Sequence, residues 1–353
     1  DWSEYWGHQP GDGSRWFHLD PLWASPAIAA VGIDNYFPLT DWRDGDDHRD
    51  RQAGFRTIYD PAYLRHGQAG GEGYDWYYAS EADRAAQLRT PIRDTARGKD
   101  WVFRPKDIRG WWENEHFDRP GGVEQATPTA WVPRSKPVWF TEAGCPAIDK
   151  GSNQPNQFFD AKSAESGLPW FSSGARDDLI QHRYVTALSD YWAGQGPHNP
   201  VSPVYGAPMV PADRIYYWCW DARPFPAFPN LTGVWSDGGN YARGHWLNGR
   251  ISAADLGQVI VAVAHGHGLA DVAVDEVHAL IDGLVLDRPM AARDALEDVL
   301  AGFAIDAGER GPTLAFRARA MADGPVLSDA HLVQEDDDPL YTITRAQETD
   351  LPA

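Results

Sequence analysis

Apolar residues in the first two thirds of the chain come in short runs that hand over to polar residues and then a turn. Pro137 to Phe140 is such a run, rich in strand formers, and it delivers Glu142 onto a turn built from Gly144 and Pro146. Val31 to Leu39 is a second, ending in Asp34, Asn35 and Tyr36 with Pro38 as the stop. Ile215 to Asp221 is a third, discharging Trp218, Trp220 and Asp221 into a proline-rich loop. Between the run ending at Phe140 and the run starting at Ile215 the period changes. Ile180, Tyr184, Leu188 and Tyr191 recur at steps of three and four, which predicts a helix over 175–192 with one apolar face. Asp177 and Asp178 suit its first turn, the positive end of the helix dipole.

Strand, polar loop, helix, strand, polar loop is the rhythm of a parallel α/β barrel, whose strands present functional groups at their C-terminal rim. Three strands, with a fourth cut short at Asp1, amount to about half of such a barrel. Residues 41–135 interrupt the rhythm as a long aromatic and charged insertion, with helices expected at 81–93 and 106–112. The pattern changes again past Trp246: all 17 tryptophans lie at or before it. A domain boundary is therefore expected in the Gly-rich stretch 236–250, giving domains 1–240 and 241–353. In the second, helices are expected from 252, behind a capping-box-like Ser252-Ala-Ala-Asp255, and over 291–303. Strands are expected at 282–287, 313–319 and 341–345. The fold class is thus α/β: the C-terminal part of a (β/α)8 TIM barrel with a long insertion, then a smaller α+β domain.

Charge and cysteine content narrow the chemistry. A net charge of -20 argues against nucleic acid, whose phosphates attract Lys and Arg, and is silent on neutral glycans. No apolar run is long enough to span a bilayer. The two cysteines, Cys145 and Cys219, sit on separate strand ends, and no His/Cys cluster has ligand spacing, so no disulfide, metal or cofactor is expected. A chain opening on Asp1 reads as a piece of a longer protein. The first domain's carboxylates and aromatics fit glycoside hydrolysis. Retaining hydrolysis needs two carboxyl groups about 5–5.5 Å apart, with aromatic rings to hold sugar faces. Glu142 is the candidate nucleophile, with Tyr36 near enough to hydrogen-bond it. Trp218 and Trp220 alternate, so only one can face the barrel axis, and Trp220, nearer the rim, is the expected sugar platform. Trp2, Asp34 and Asp221 are secondary substrate-binding candidates. Core packing is the ordinary alternative for any one tryptophan.

Several long motifs carry a family resemblance: Asp1-Trp-Ser-Glu-Tyr5, Gly32-Ile-Asp-Asn-Tyr-Phe-Pro-Leu-Thr-Asp-Trp-Arg-Asp44, Trp101-Val-Phe-Arg104, Thr127-Pro-Thr-Ala-Trp-Val-Pro133, Phe140-Thr-Glu-Ala-Gly-Cys-Pro-Ala-Ile-Asp-Lys-Gly151 and Trp220-Asp-Ala-Arg-Pro-Phe-Pro-Ala-Phe-Pro229. Together they resemble the TIM-barrel-like domain of the large host-specificity ("megatron") hub protein in the tails of gene transfer agents and related phages. The chain after about 240 resembles the tail-hub domain that follows in those proteins. The barrel motifs are also similar to β-mannanase-like retaining hydrolases, in which a Phe-Thr-Glu-x-Gly segment on the seventh strand supplies the nucleophile. That resemblance implies the nucleophile role for Glu142 and a sixth-strand position for Tyr36. It also implies a general acid on a fourth strand upstream of Asp1, so that residues 1–353 alone lack it; Glu4 falls at the fifth-strand end instead, and Glu113 and Glu115 in the insertion stay open as substitutes that no motif supports.

The resemblance implies a tail-tip component made in the bacterial cytoplasm and released with a virion-like particle. Its partners would be a host-surface glycan or peptidoglycan and other tail or baseplate proteins, with a homo-oligomeric ring formed through the C-terminal domain. The alternative is a structural or carbohydrate-binding hub that keeps the barrel without turnover. A free-standing glycosidase is disfavoured by the appended Trp-free domain.

Overall fold

The computed structural model describes residues 4–160, 162–194, 196–319 and 328. Trp2 and the strand expected at 341–345 lie outside the described residues. The chain falls into two units, one running to Leu256 together with His278–Val285, the other formed by Gly257–Val277 and the chain from Leu286 onward.

The first unit is organised on a parallel sheet of β1 (Val31–Asn35), β2 (Val138–Ala143) and β3 (Ile215–Tyr217), with β2 in the middle. Val31, Ile33, Val138 and Phe140 alternate onto one face and are essentially fully buried there. They meet a core that includes Trp111, Trp112, Leu188 and Trp192. Helix α1 (Asp178–Ala193) makes the crossover from β2 to β3. Asp177 caps it by accepting from the Ile180 N–H at 3.0 Å, satisfying one of the donors a helix start leaves over. Its buried face runs through Ile180, Tyr184, Leu188 and Trp192. Trp192 packs edge-on against Phe140, with centroids 5.3 Å apart. Tyr191, expected on that face, is half-buried one position round the helix. Sheet and crossover helix form an α/β unit, as the sequence pattern implies, and among the described residues the sheet does not close into a barrel.

The bounds of several elements differ from the sequence pattern for local reasons. Strand β3 stops at Tyr217, four residues early. The helix expected over 81–93 is only Glu81–Ala85. Gln87 leaves it with a φ of +50° and turns inward, its amide donating to the Asp41 carboxylate at 3.0 Å. The strand expected at 282–287 is instead Leu280–Ile281, paired antiparallel with Ala254–Asp255. The capping box at 252–255 does not form, because Asp255 lies in that strand and pairs with Arg183 at 2.6 Å.

The insertion is held by buried cations rather than by regular structure. Lys106, 3% exposed, donates to the carbonyls of Pro38, Gly67 and Gly70. Burial pushes its pKa down to about 7. Arg15, fully buried, donates to the carbonyls of Val102 and Trp6. Arg89 joins the carboxylates of Asp41 and Asp50 at 2.7 and 2.6 Å. Backbone carbonyls of an irregular segment need donors, and Lys106 and Arg15 supply them.

In the second unit, β4 (Val272–Asp275), β5 (Ile305–Arg310) and β6 (Thr313–Ala318) form a sheet with β6 central. β6 runs parallel to β4 and antiparallel to β5. The β5–β6 hairpin turns at Gly311, whose φ of +60° favours glycine. Helices α2 (Leu256–Gly266) and α3 (Ala292–Gly302) complete it. Ala295, Leu296 and Val299 form the buried face of α3, and Phe303, expected to extend it, is 40% exposed past the helix end.

Candidate functional site

Strict alternation along β2 would put Glu142 on the same face as Val138 and Phe140, inside the core. A β-bulge prevents this. The register runs Ile33 opposite Phe140 and then Asp34 opposite Glu142, so Thr141 is the extra residue. Burial follows the shift: Val138, Phe140 and then Ala143 are buried, while Thr141 is exposed and Glu142 half-buried. A bulge re-aims the side chain beyond it, and here it turns a carboxylate out of an aromatic core toward the C-terminal end of the sheet.

Glu142 is met there by Tyr36, just past the end of β1, whose hydroxyl donates to Glu142 Oε2 at 2.8 Å. Burial, then this bond, push the Tyr36 pKa far above that of a free phenol, so the hydroxyl stays a donor. Glu142 has no ion-pair partner among the described residues. Asp34 lies beside it in register and accepts from Thr141 Oγ1 at 2.8 Å.

Behind Tyr36 stands His245, 3% exposed. Its ring is edge-on to Tyr36, with centroids 5.8 Å apart, and stacked on Phe158 at 6.0 Å. Nε2 donates to the Pro155 carbonyl at 2.8 Å, and the His245 carbonyl accepts from the Cys219 N–H at 3.0 Å. One histidine thus touches the loops after all three strands. Burial pushes its pKa down to about 4, so the ring is neutral, and Nδ1 has no hydrogen-bond partner. Sequence reasoning missed this residue; it lies a hundred positions from Glu142, inside the Gly-rich stretch where a domain boundary is expected, with no periodic signal around it.

The tryptophans do not divide as alternation predicted. With β3 ended at Tyr217, Trp218 and Trp220 are both exposed, at 46% and 68%. Trp218 is the one anchored beside the carboxylate, its N–H donating to the Ala143 carbonyl at 2.8 Å. Trp220 projects from a ribbon in which Cys219 and Asp221 bond to His245, Leu247 and Asn248. The Asp221 carboxylate is already engaged: Arg223 grips it at 2.6 Å, and Trp246 Nε1 donates to it at 3.0 Å. The bonds from Arg223, then the one from Trp246, pull its pKa down, and Arg223 also binds Asp237 at 2.8 Å. Of the other acids, Glu113 pairs with Arg109 and Arg134, and Glu4 and Glu115 are exposed. The geometry brings together Glu142, Tyr36, Asp34 and Trp218, and ties Asp221 into the loop that carries Trp220. Among the described residues no group of His, Cys, Asp and Glu could hold a metal ion.

The family model of the GTA TIM-barrel-like domain matches residues 1–229. The chain belongs to that family. A phage tail protein family model matches residues 291–353 downstream of it. No curated protein matches the chain. This GTA TIM-barrel-like protein is therefore a tail component of phage-like particles, associated with other tail proteins. Among its described residues no helix is long and apolar enough to cross a membrane.

Proposed function

We propose that the first unit is the C-terminal part of a (β/α)8 barrel, with β1, β2 and β3 as its sixth, seventh and eighth strands. In this proposal it cleaves a host-surface or cell-wall glycan for the tail tip by a retaining mechanism. The observation that carries this is the Tyr36–Glu142 bond at the C-terminal ends of adjacent parallel strands, beside exposed tryptophans. The Tyr36 hydroxyl fixes Oε2, leaving Oε1 free to attack an anomeric carbon as the glycosidic C–O bond breaks. The leaving oxygen takes a proton from a general acid, which the family resemblance assigns to a strand preceding Asp1. Water then releases the sugar from Glu142. Trp218 and Trp220 would stack on sugar faces. The downstream domain would act as a hub, forming a ring with copies of itself in a released particle.

Asp34 is the carboxylate nearest Glu142 in register, and its bond to Thr141 suits a structural or sugar-binding role better than proton transfer. That favours, as a second reading, a carbohydrate-binding hub without turnover. One experiment separates the two. A chain extended upstream is assayed on peptidoglycan and a panel of β-linked glycans, beside its Glu142→Gln variant. Turnover abolished by the substitution supports hydrolysis. Glycan binding without turnover in both supports the binding hub, and neither binding nor turnover overturns both.

A further inference from the structure

At the far end of α1 from Glu142 lies a cavity of about 230 Å³ between the helix and the insertion. The N-terminal end of α1 is the one that serves the Glu142 loop, through Gln181 donating to the Cys145 carbonyl at 3.1 Å. The cavity is lined instead by Tyr191, Trp192 and His198 on one side and Gln68, Tyr74 and Asp107 on the other. It shares no residue with the Glu142 site.

Its polar groups are unusually idle. Gln68 and Trp192 are 6% and 5% exposed, yet Gln68 Nε2 and Trp192 Nε1 have no hydrogen-bond partner. The hydroxyls of Tyr74 and Tyr191 make no hydrogen bond among the described residues. Burial, then the nearby Tyr74 and Asp107, raise the pKa of Tyr191 to about 12. Asp107 uses Oδ1 to cap the Gly110 N–H at 2.8 Å, and its other oxygen is 3.9 Å from Arg104. His198 donates through Nε2 to the Tyr191 carbonyl, leaving Nδ1 as an acceptor. A buried donor without a partner is destabilising, because it has given up water and gained nothing in return. Two such donors around one cavity, beside two unbonded tyrosine hydroxyls, point to a ligand that satisfies them.

Charge and shape narrow the ligand. The cations on the cavity wall are already committed, Lys106 to three carbonyls and Arg109 to Glu113 at 3.1 Å. A phosphate or carboxylate would have to compete with Glu113 for Arg109 and would share the cavity with Asp107. An aliphatic group would leave the donors and acceptors unpaired. What remains is a neutral ring carrying both donors and acceptors, with CH faces for Tyr74, Tyr191 and Trp192. The volume is below the usual pocket range of about 300–1,000 Å³, which limits the guest to one ring. We propose that this cavity is an accessory binding site for a single neutral sugar unit, separate from Glu142 and able to hold a glycan whether or not Glu142 cleaves it.

The test is calorimetric titration of the full chain with the methyl glycosides of glucose, mannose and N-acetylglucosamine, with glucuronate as the charged control. At least one neutral glycoside should bind with a Kd of the order of 1 mM. Tyr191→Phe and Gln68→Leu should each weaken it by about fivefold or more, the effect of one lost hydrogen bond, while Glu142→Gln leaves it unchanged. Should either variant fail to fold, acetylation of Tyr191 in the native protein reports instead, and a saturating neutral glycoside should slow it. The proposal is overturned if no neutral glycoside binds, if glucuronate binds more tightly, if Glu142→Gln abolishes binding, or if sugar leaves Tyr191 unprotected.

Discussion

The ring of His245 stands edge-on to the ring of Tyr36, with planes at 82° and centroids 5.8 Å apart, and Tyr36 in turn holds Glu142 at 2.8 Å. The carboxylate is therefore positioned through Tyr36 and through His245, which touches the loops after all three strands, and neither residue lies on the strand of Glu142. A carboxylate in this setting has its orientation set by an uncharged donor, and its charge stays uncompensated by any cation among the described residues.

Removing the donor tests that arrangement. Tyr36→Phe keeps the ring and its contact with His245 but loses the charge-assisted bond, worth about 1.5–3 kcal/mol. In the upstream-extended chain, glycan cleavage should fall roughly 10- to 100-fold, with little change in melting temperature. Unchanged turnover would remove Tyr36 from the catalytic machinery.

His245 makes stability depend on pH. Its pKa is pushed from the ordinary 6.5 down to about 4 in the folded protein, so between these values the unfolded chain binds the extra proton. The stabilisation from the neutral ring is complete above about pH 6.5 and is lost as pH falls through 4. A tenfold change in proton affinity corresponds to about 1.4 kcal/mol, so the difference between the folded and unfolded chains amounts to roughly 3 kcal/mol. His245→Gln, whose amide can still donate to Pro155, should lack this slope in urea unfolding measured from neutral to mildly acid pH. Parallel curves for the two proteins would mean that other groups govern the acid limb.

Tryptophan substitutions should separate binding from folding. Trp220, 68% exposed, should be replaceable by Ala within about 0.5 kcal/mol of stability, while glycan affinity falls several-fold, as losing an aromatic contact of about 0.5–1.5 kcal/mol implies. Trp246 is 7% exposed, packs on Phe228 and Tyr241 and donates to Asp221. Trp246→Ala should cost about 3–5 kcal/mol. Equal effects on stability at the two positions, read by denaturant unfolding, would contradict this division.

How much of this was legible in the sequence depends on the range of the signal. The strand pattern at 31–35 and 138–143 and the helix at 178–193 are local, and they led to Glu142 and Tyr36 as a pair. Periodicity failed where a long-range contact overrides it: Gln87 is drawn out of its helix by Asp41, and β3 ends early as Cys219 exchanges backbone bonds with His245 and Leu247. His245 was illegible because its role rests on partners remote in sequence, Pro155 lying 90 positions away. The Gln68–Trp192 cavity was illegible for the same reason.

The bulge at Thr141 was equally hidden, and it makes the sharpest prediction. An extra residue leaves no mark on composition, yet if Thr141 paired regularly in the ladder Glu142 would join Val138 and Phe140 on a face that is fully buried. Deleting Thr141 removes the bulge and sets Glu142 directly after Phe140, where it still pairs with Asp34 and still faces away from that core. The deletion should therefore cost little beyond the Thr141 bond to Asp34, about 0.5–1.5 kcal/mol. If register is what sets the direction of Glu142, adding Glu142→Leu to the deletion should recover nothing, because the side chain lies off the apolar face. The same substitution in the parent should recover nothing either, since Glu142 there is half-buried at the strand end. Thermal melts of the four proteins decide it: a deletion that melts far below the parent and is rescued by Glu142→Leu would mean that the carboxylate had entered the core and that register does not set its direction.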